Sequence, residues 1–317
     1  MELTPGFSLG VPLHDKPPAM LKTTLAALAL CFASATASAA DEAPTSPSTV
    51  RFAIVKTASL QTHEWLLFAG GRFEPAETAF SAFLVQHGDD QFLFDSGLGS
   101  QVDAQYAADM PGWNKLFFRY DKPVRPAKDQ LAEAGIKPVT RIVVSHSHWD
   151  HLSGLSDFPQ AEVWLAAAEH ERIKEPSHSV GGVWPSQVEG VTAWKDIEFN
   201  GPAFEGFAAS HDMYGDGRAV LVPMPGHTPG SIGLFVTVDS GQRYFFVGDV
   251  VWNAGALKDG APKYWAARWL VDQDVEQTQV AIELIRAAMA RDPKLVVIPA
   301  HDAKAQAALG HFPTWVQ

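Results

Sequence analysis

Apolar positions in this chain come in short bursts separated by turn chemistry, and most of the bursts are strand-like. Val50-Arg51-Phe52-Ala53-Ile54-Val55 opens the first of them. Apolar runs at 81–86 and 91–95 flank Gly88-Asp89-Asp90, which predicts a hairpin. Arg141-Ile142-Val143-Val144 is a β-branched run that predicts a buried strand, and 161–165 predicts the next. Residues 231–238 and 243–248 predict two strands joined at Asp239-Ser240-Gly241, and 295–299 a last buried one. Tyr214-Gly215-Asp216-Gly217 supplies hairpin-turn chemistry between runs at 207–210 and 219–223.

Helical spacing is rarer. Residues 126–135 carry Leu131 and Ala134 on one face and stop at Gly135, and 166–173 predict a second helix. Residues 274–291 place Val275, Val280, Ile282, Leu284, Ile285, Ala288 and Met289 at helical spacing. Residues 100–120 read as part helix and part loop, and 174–200 as irregular. This strand-rich, helix-punctuated order predicts two sheets covered by helices, in one domain spanning 51–317.

The N-terminus departs from that pattern. Met20-Leu21-Lys22 begins a short region with one positive charge, 25–39 is apolar or small apart from Ser and Thr, and Ala37-Ser38-Ala39 has the small-x-small form read by a signal peptidase. Residues 20–39 are therefore expected to be an export signal, and the mature chain to be periplasmic or secreted. Residues 1–19 carry no export logic, so Met20 is the expected start and 1–19 an extension. Residues 40–50, rich in Ala, Pro, Ser and Thr, read as a flexible linker. The lone cysteine, Cys31, lies inside the signal. The processed chain then has no disulfide and no thiolate to act as ligand or nucleophile.

Composition narrows the partners. Hydrophobic residues make up 46% and charged residues 19% of the 317, enough for a globular core. The net charge of −12, with Lys and Arg scattered, excludes a nucleic-acid backbone as partner. No stretch of the processed chain is long and apolar enough for a membrane span.

The chemistry concentrates in Ser145-His146-Ser147-His148-Trp149-Asp150-His151, which follows the predicted strand at 141–144. Alternation would point His146 and His148 the same way, and Asp150 and His151 would come from the turn. Four such groups at one strand end are the donor set of a first-row metal, with zinc the expected ion. Three more sit where strands end or in a rigid loop. His227 lies in Pro225-Gly226-His227-Thr228-Pro229-Gly230, Asp249 follows Phe245-Phe246-Val247-Gly248, and His301 follows Val296-Val297-Ile298-Pro299-Ala300. Five histidines and two aspartates suit two divalent ions, which about 3.5–4 Å apart share a water and lower its pKa.

H-x-H-x-D-H, a histidine in a Pro-Gly loop, Gly-Asp, and a late strand-end histidine together resemble the metallo-β-lactamase-fold hydrolase superfamily. The resemblance implies an α+β fold, a four-layer αββα sandwich with the metals at one sheet edge. It implies His146, His148 and His227 as ligands of one metal, Asp150, His151 and His301 as ligands of the second, and Asp249 as the bridging carboxylate. Asp95, ending Phe92-Leu93-Phe94, matches an aspartate that orients a ligand. The implied reaction is hydrolysis of a small-molecule ester by a metal-bridging hydroxide, with Asp150 orienting it and relaying a proton. The aspartate at 249 and the absence of a ligand cysteine disfavour β-lactam cleavage.

The region from Tyr214 to Gly230 looks most like the N-acyl-homoserine-lactone lactonase branch, which makes a lactone or another ester the expected substrate and a homodimer a compatible assembly. That branch often has a tyrosine three residues after the bridging aspartate. Here the position is Trp252, expected at the substrate. Phosphotriester (organophosphate) hydrolysis on the same ligands is the second expectation. A non-catalytic metal-binding envelope protein, with no open coordination position, is the alternative of another class. Of the aromatics Trp113, Phe117, Phe118, Trp184, Trp252, Trp265 and Trp269, only Trp252 has a sequence reason to leave the core.

Overall fold

The computed structural model describes residues 49–317. The extension at 1–19, the export signal at 20–39 and most of the linker at 40–50 lie outside the described residues. Val50, the last residue of that linker, is already buried in the first strand.

Among the described residues, eleven strands form two sheets. In the first, β1 (Val50–His63), β2 (Pro75–His87), β3 (Asp90–Phe94), β4 (Arg141–Val143), β5 (Glu162–Ala166) and β6 (Trp194–Ile197) lie in chain order. β1 to β3 are antiparallel, and β3 to β6 are parallel. The second sheet has the order β11 (Val296–Ile298), β10 (Arg243–Phe246), β9 (Ile232–Thr237), β8 (Ala219–Pro223) and β7 (His211–Asp212). The hairpin at Gly88 forms as expected, with His87 facing Asp90 across β2 and β3.

Period-2 alternation sorts the side chains into layers. On β2, Phe83 and Val85 enter the core between the sheets, while Ala82 and Leu84 face outward under the helices. On β9 and β10, Ile232, Leu234, Val236, Tyr244 and Phe246 face inward, while Phe235 and Phe245 stack on the outer side. The outer face of the first sheet is covered by Ala127 and Leu131 of the helix Ala127–Glu133 and by Ile173. The outer face of the second is covered by Ala281, Ile282, Ile285 and Ala288 of the helix Val275–Arg291. The result is the expected helix–sheet–sheet–helix order, in which each large apolar side chain removed from water contributes about 1.5–3 kcal/mol.

Two details differ from the sequence pattern. Val275 and Val280 share the apolar spacing of the long helix, but they are 39% and 59% exposed. The burying stripe is the narrower one through Ile282 and Ile285, and Asp274 caps the helix by accepting the Gln277 N–H. β1 also runs on to His63, past an irregularity between Lys56 and Ala58, and so reaches one end of the sandwich. No helix among the described residues is long and apolar enough to cross a membrane.

Candidate metal centre

Strand ends converge at that same end. β4 stops at Val143, so His146 and His148 lie on an extended loop beyond the sheet rather than in the strand. Asp150 and His151 occupy the first turn of the short helix Trp149–Leu152. His227 comes from the loop between β8 and β9, Asp249 from the segment after β10, and His301 from the segment after β11. Backbone bonds seam these pieces together: Ile232 N–H donates to Ser145 O at 2.9 Å, and Ala79 N–H to His301 O at 3.2 Å.

All seven expected residues are buried and adjacent. His146, His148 and His227 form one group, His146, His151 and Asp249 a second, and Asp150, His151 and His301 a third, with ligand atoms in each group within 4.8 Å of one another. Asp249 Oδ2 lies 3.1 Å from His301 Nε2, 3.7 Å from His227 Nε2 and 4.0 Å from His146 Nε2. Its Oδ1 lies 3.3 Å from His151 Nε2. Asp150 Oδ2 lies 3.1 Å from His301 Nε2.

The surroundings decide which ring nitrogen faces inward. His301 Nδ1–H donates to the Ala79 carbonyl at 2.9 Å. His227 Nδ1–H donates to Asp272 at 2.6 Å, and His151 Nδ1–H to Asp95 at 2.8 Å. Ser145 has one hydroxyl proton, and the Asp95 carboxylate takes it at 2.8 Å. Ser145 Oγ must therefore accept from His146 Nδ1–H at 3.0 Å. Four imidazoles are thus left with Nε2 turned inward, two of them, on His146 and His227, only 3.1 Å apart. Two lone pairs at that distance repel unless a cation lies against both. His151 Nε2 and Asp249 Oδ1 likewise have no hydrogen-bond partner among the described residues. Inward lone pairs, a central carboxylate and unpaired buried polar atoms fit divalent cations.

Electrostatics divides the histidines. Burial, reinforced by neighbouring histidines, holds His146 and His148 well below the usual imidazole range. Burial and the Lys263 ammonium also lower His227. For His151 and His301 burial acts in the same sense, but carboxylates outweigh it. Asp95, Asp249 and Asp150 hold His151 well up, and Asp249 and Asp150 push His301 up to about 10. Asp249 itself would be raised by burial, yet His301 and His151 keep it well below the carboxylate range.

Asp95 is buried against His151 and Ser145. It accepts from Ser145 N–H at 2.7 Å as well as from His151, and does so at φ 60, a conformation that costs a non-glycine residue about 1–3 kcal/mol. Glu169, which no sequence pattern singled out, is fully buried and ties two of the histidine loops together. Its carboxylate accepts from Ser147 N–H at 2.9 Å and Gly230 N–H at 3.0 Å, and Arg172 neutralises it at 2.9 Å. Gly226 holds the His227 loop against the long helix at φ +140, where an added Cβ would lie 2.3 Å from Thr278 N. Gly226→Ala is expected to destabilise the fold by about 1–3 kcal/mol from backbone strain alone, read as a lowered urea midpoint.

Above the cluster opens a cavity of about 660 Å³, with His148, Asp150, His227, Asp249 and His301 at its base. Its walls are aromatic. Trp113, Phe117, Phe118, Trp252, Trp265 and Trp269 all line it, whereas Trp184 is core. Trp113, Phe117, Trp265 and Trp269 remain more than half exposed at the mouth. Trp252 does two things: its ring lines the wall, and its indole N–H donates to Asp249 Oδ2 at 2.8 Å. Sequence reasoning missed Trp65, Phe80 and His63 on the same wall. The unassigned His170, His178 and His211 pair with Asp196, Asp109 and the Glu198 carbonyl away from the cluster.

Known proteins are similar to this chain in sequence and in fold. A probable metallo-hydrolase of Mycobacterium tuberculosis is 30% identical over 239 residues, 69% of this chain and 73% of that protein. The N-acyl homoserine lactonase AttM of Rhizobium radiobacter is 24% identical over 173 residues, 54% of this chain and 64% of that protein. Among solved structures, an N-acyl homoserine lactone hydrolase with N-hexanoyl-L-homoserine at its catalytic metal center superimposes with a TM-score of 0.66 at 14% identity, covering 85% of this chain and all of that one. The fold, with its His and Asp metal-binding groups, is that of a metal-dependent hydrolase. Residues 79–301 match the family model itself, and the chain belongs to the metallo-beta-lactamase superfamily.

Proposed function

We propose that this chain is a dinuclear metal-dependent hydrolase that opens a lactone or another ester carrying an apolar acyl group. The observation that carries the reading is the seven-residue cluster lying at the base of an aromatic cavity. His146, His148 and His227 would hold one ion, Asp150, His151 and His301 the other, and Asp249 would serve both. When bound, such ions supply Lewis acidity, activating water near neutral pH and polarising the substrate oxygen. The protein's part is to orient and to move protons. Asp95, Asp272, Ser145 and the Ala79 carbonyl fix the imidazole tautomers. Asp150, on the cavity wall, is placed to take a proton from attacking water and to return it to the leaving oxygen. The aromatic walls exclude bulk water and bury the acyl group.

The test is a panel of acyl-homoserine lactones, aryl esters, phosphotriesters and β-lactams, with Asp150→Ala as control. Chelator-sensitive turnover of a lactone or ester supports the reading. Absence of any turnover from zinc-loaded protein would favour the non-catalytic alternative. Phosphotriester hydrolysis is the second reading, favoured by Trp252: an indole offers no hydroxyl to a carbonyl oxygen, and its N–H is already taken by Asp249. Export is proposed on residues 20–39 alone, and N-terminal sequencing of periplasmic protein starting near Asp41 would support it.

Cation uptake should also release protons. At pH 7 the His301 imidazole, pushed up to about 10, holds a proton that a cation must displace, and His151 does the same. Affinity for zinc is therefore expected to rise with pH between 6 and 9, by about tenfold per unit for each proton displaced. Calorimetry of chelator-stripped protein in buffers of different ionisation enthalpy measures this directly.

A further inference from the structure

One wall of the cavity is the helix Trp265–Val271, whose Trp265, Trp269, Leu270 and Val271 face the opening. Both ends of this helix turn inward. Lys263, two residues before it, and Asp272, directly after it, have side chains with no exposed surface, and they pair at 2.7 Å. Lys263 Nζ also donates to the Val250 carbonyl at 3.3 Å, beside Asp249, and lies 3.4 Å from His227 Nδ1. Asp272 Oδ1 accepts from that same Nδ1–H at 2.6 Å. The backbone repeats the connection, with Gln273 N–H donating to His227 O at 3.1 Å.

A buried ion pair is a poor way to gain stability, because desolvation costs several kcal/mol per ion and an apolar pair often does as well. What the pair supplies is direction: it delivers an ionised acceptor to one side of one imidazole. Asp272 Oδ2 has no hydrogen-bond partner among the described residues, so the imidazole and the ammonium are what hold this carboxylate in place.

We propose that Lys263 and Asp272 are positioning residues that couple the cavity wall to His227, so that cation occupancy and order of the substrate-receiving helix are linked. The inference rests on the metal-centre reading. A cation held by Nε2 of His227 fixes the ring. The ring fixes Asp272, and Asp272 fixes Lys263, which anchors both ends of the helix at once. Linkage runs both ways: a ligand that settles on the wall tightens cation binding by the same factor.

The experiment is hydrogen–deuterium exchange on the full chain, stripped with chelator and then reloaded with zinc chloride. Zinc binding is followed in parallel by equilibrium dialysis. Zinc is expected to slow exchange across 263–272 by about fivefold or more, while the helix Ala127–Glu133 on the opposite outer face is unchanged. A Lys263→Met, Asp272→Asn double variant removes both charges and leaves no buried ion unpaired. It is expected to bind zinc about 10–100-fold more weakly, and at saturating zinc to show no slowing across 263–272. Slowing that is absent from the wild type despite bound zinc, or equal in the variant, would overturn the coupling alone. The wild-type comparison decides the matter even if the variant does not fold. A wild type that binds no zinc would overturn the metal-centre reading and this inference with it.

Discussion

Asp249→Asn is expected to lower kcat/KM at least about 10³-fold, the equivalent of about 4 kcal/mol of transition-state stabilisation. Asp249 is the carboxylate that reaches both halves of the cluster. Oδ2 faces His301, His227 and His146, while Oδ1 faces His151. Asparagine keeps the size but loses the charge, and its amide N–H₂ must replace one of the two oxygens. Placed at Oδ2, the amide meets the Trp252 indole N–H, donor against donor. Placed at Oδ1, it presents protons beside His151, where a ligand oxygen is needed. On the two-metal reading, either placement would cost one cation a ligand and would remove the negative charge that both would share. Metal content should fall from about two equivalents to about one or fewer on the two-metal reading, with the far-ultraviolet circular dichroism unchanged. A variant that retains two equivalents and keeps kcat/KM within about tenfold of wild type, about 1.4 kcal/mol, would remove Asp249 from the centre of the proposed mechanism.

The seven residues stood out in the sequence because most of them follow an apolar run that could be read by itself. Residues 141–144, 243–248 and 295–299 are recognisable strands, with Asp249 directly after the second and His146 and His301 one intervening residue beyond the ends of the other two. The Pro-Gly frame around His227 marked a rigid loop in the same way. The walls were not legible, for a physical reason. Trp113 and Phe117 flank the short turn Asn114–Leu116, Trp265 and Trp269 lie on the short helix Trp265–Val271 far along the chain, and tryptophan and phenylalanine are ordinarily core residues. Only the fold shows that, among the described residues, no layer covers these faces. Lys263 was invisible for the opposite reason: lysine is almost never fully buried unless it is paired. Its partner Asp272 stands two residues before the helix-capping Asp274, where an aspartate reads as ordinary helix-start chemistry. Glu169 lay within an expected helix and looked like solvent-facing charge until the loops at Ser147 and Gly230 closed over it.

Asp150→Asn should separate proton transfer from cation binding. Asp150 and Asp249 are the two carboxylates that line the cavity among the described residues. Asp249 is already engaged by the Trp252 N–H and His301. Asp150 uses Oδ2 on His301, while its Oδ1 accepts no hydrogen bond from the described residues. A free carboxylate oxygen on the cavity wall is what a base needs to reach attacking water. Asparagine can still offer an oxygen towards the cluster but cannot accept and return a proton. The expected result is a fall in kcat of about 10²–10⁴-fold, the range for a positioned acid–base group, with KM little changed. Metal analysis on the same sample is essential to the argument, because a ligand role alone predicts loss of kcat in proportion to lost metal. If the variant keeps its metal and kcat stays within about tenfold of wild type, less than about 1.4 kcal/mol in the barrier, proton transfer must be assigned elsewhere. His63, on the same wall, would then be the next titratable side chain to replace.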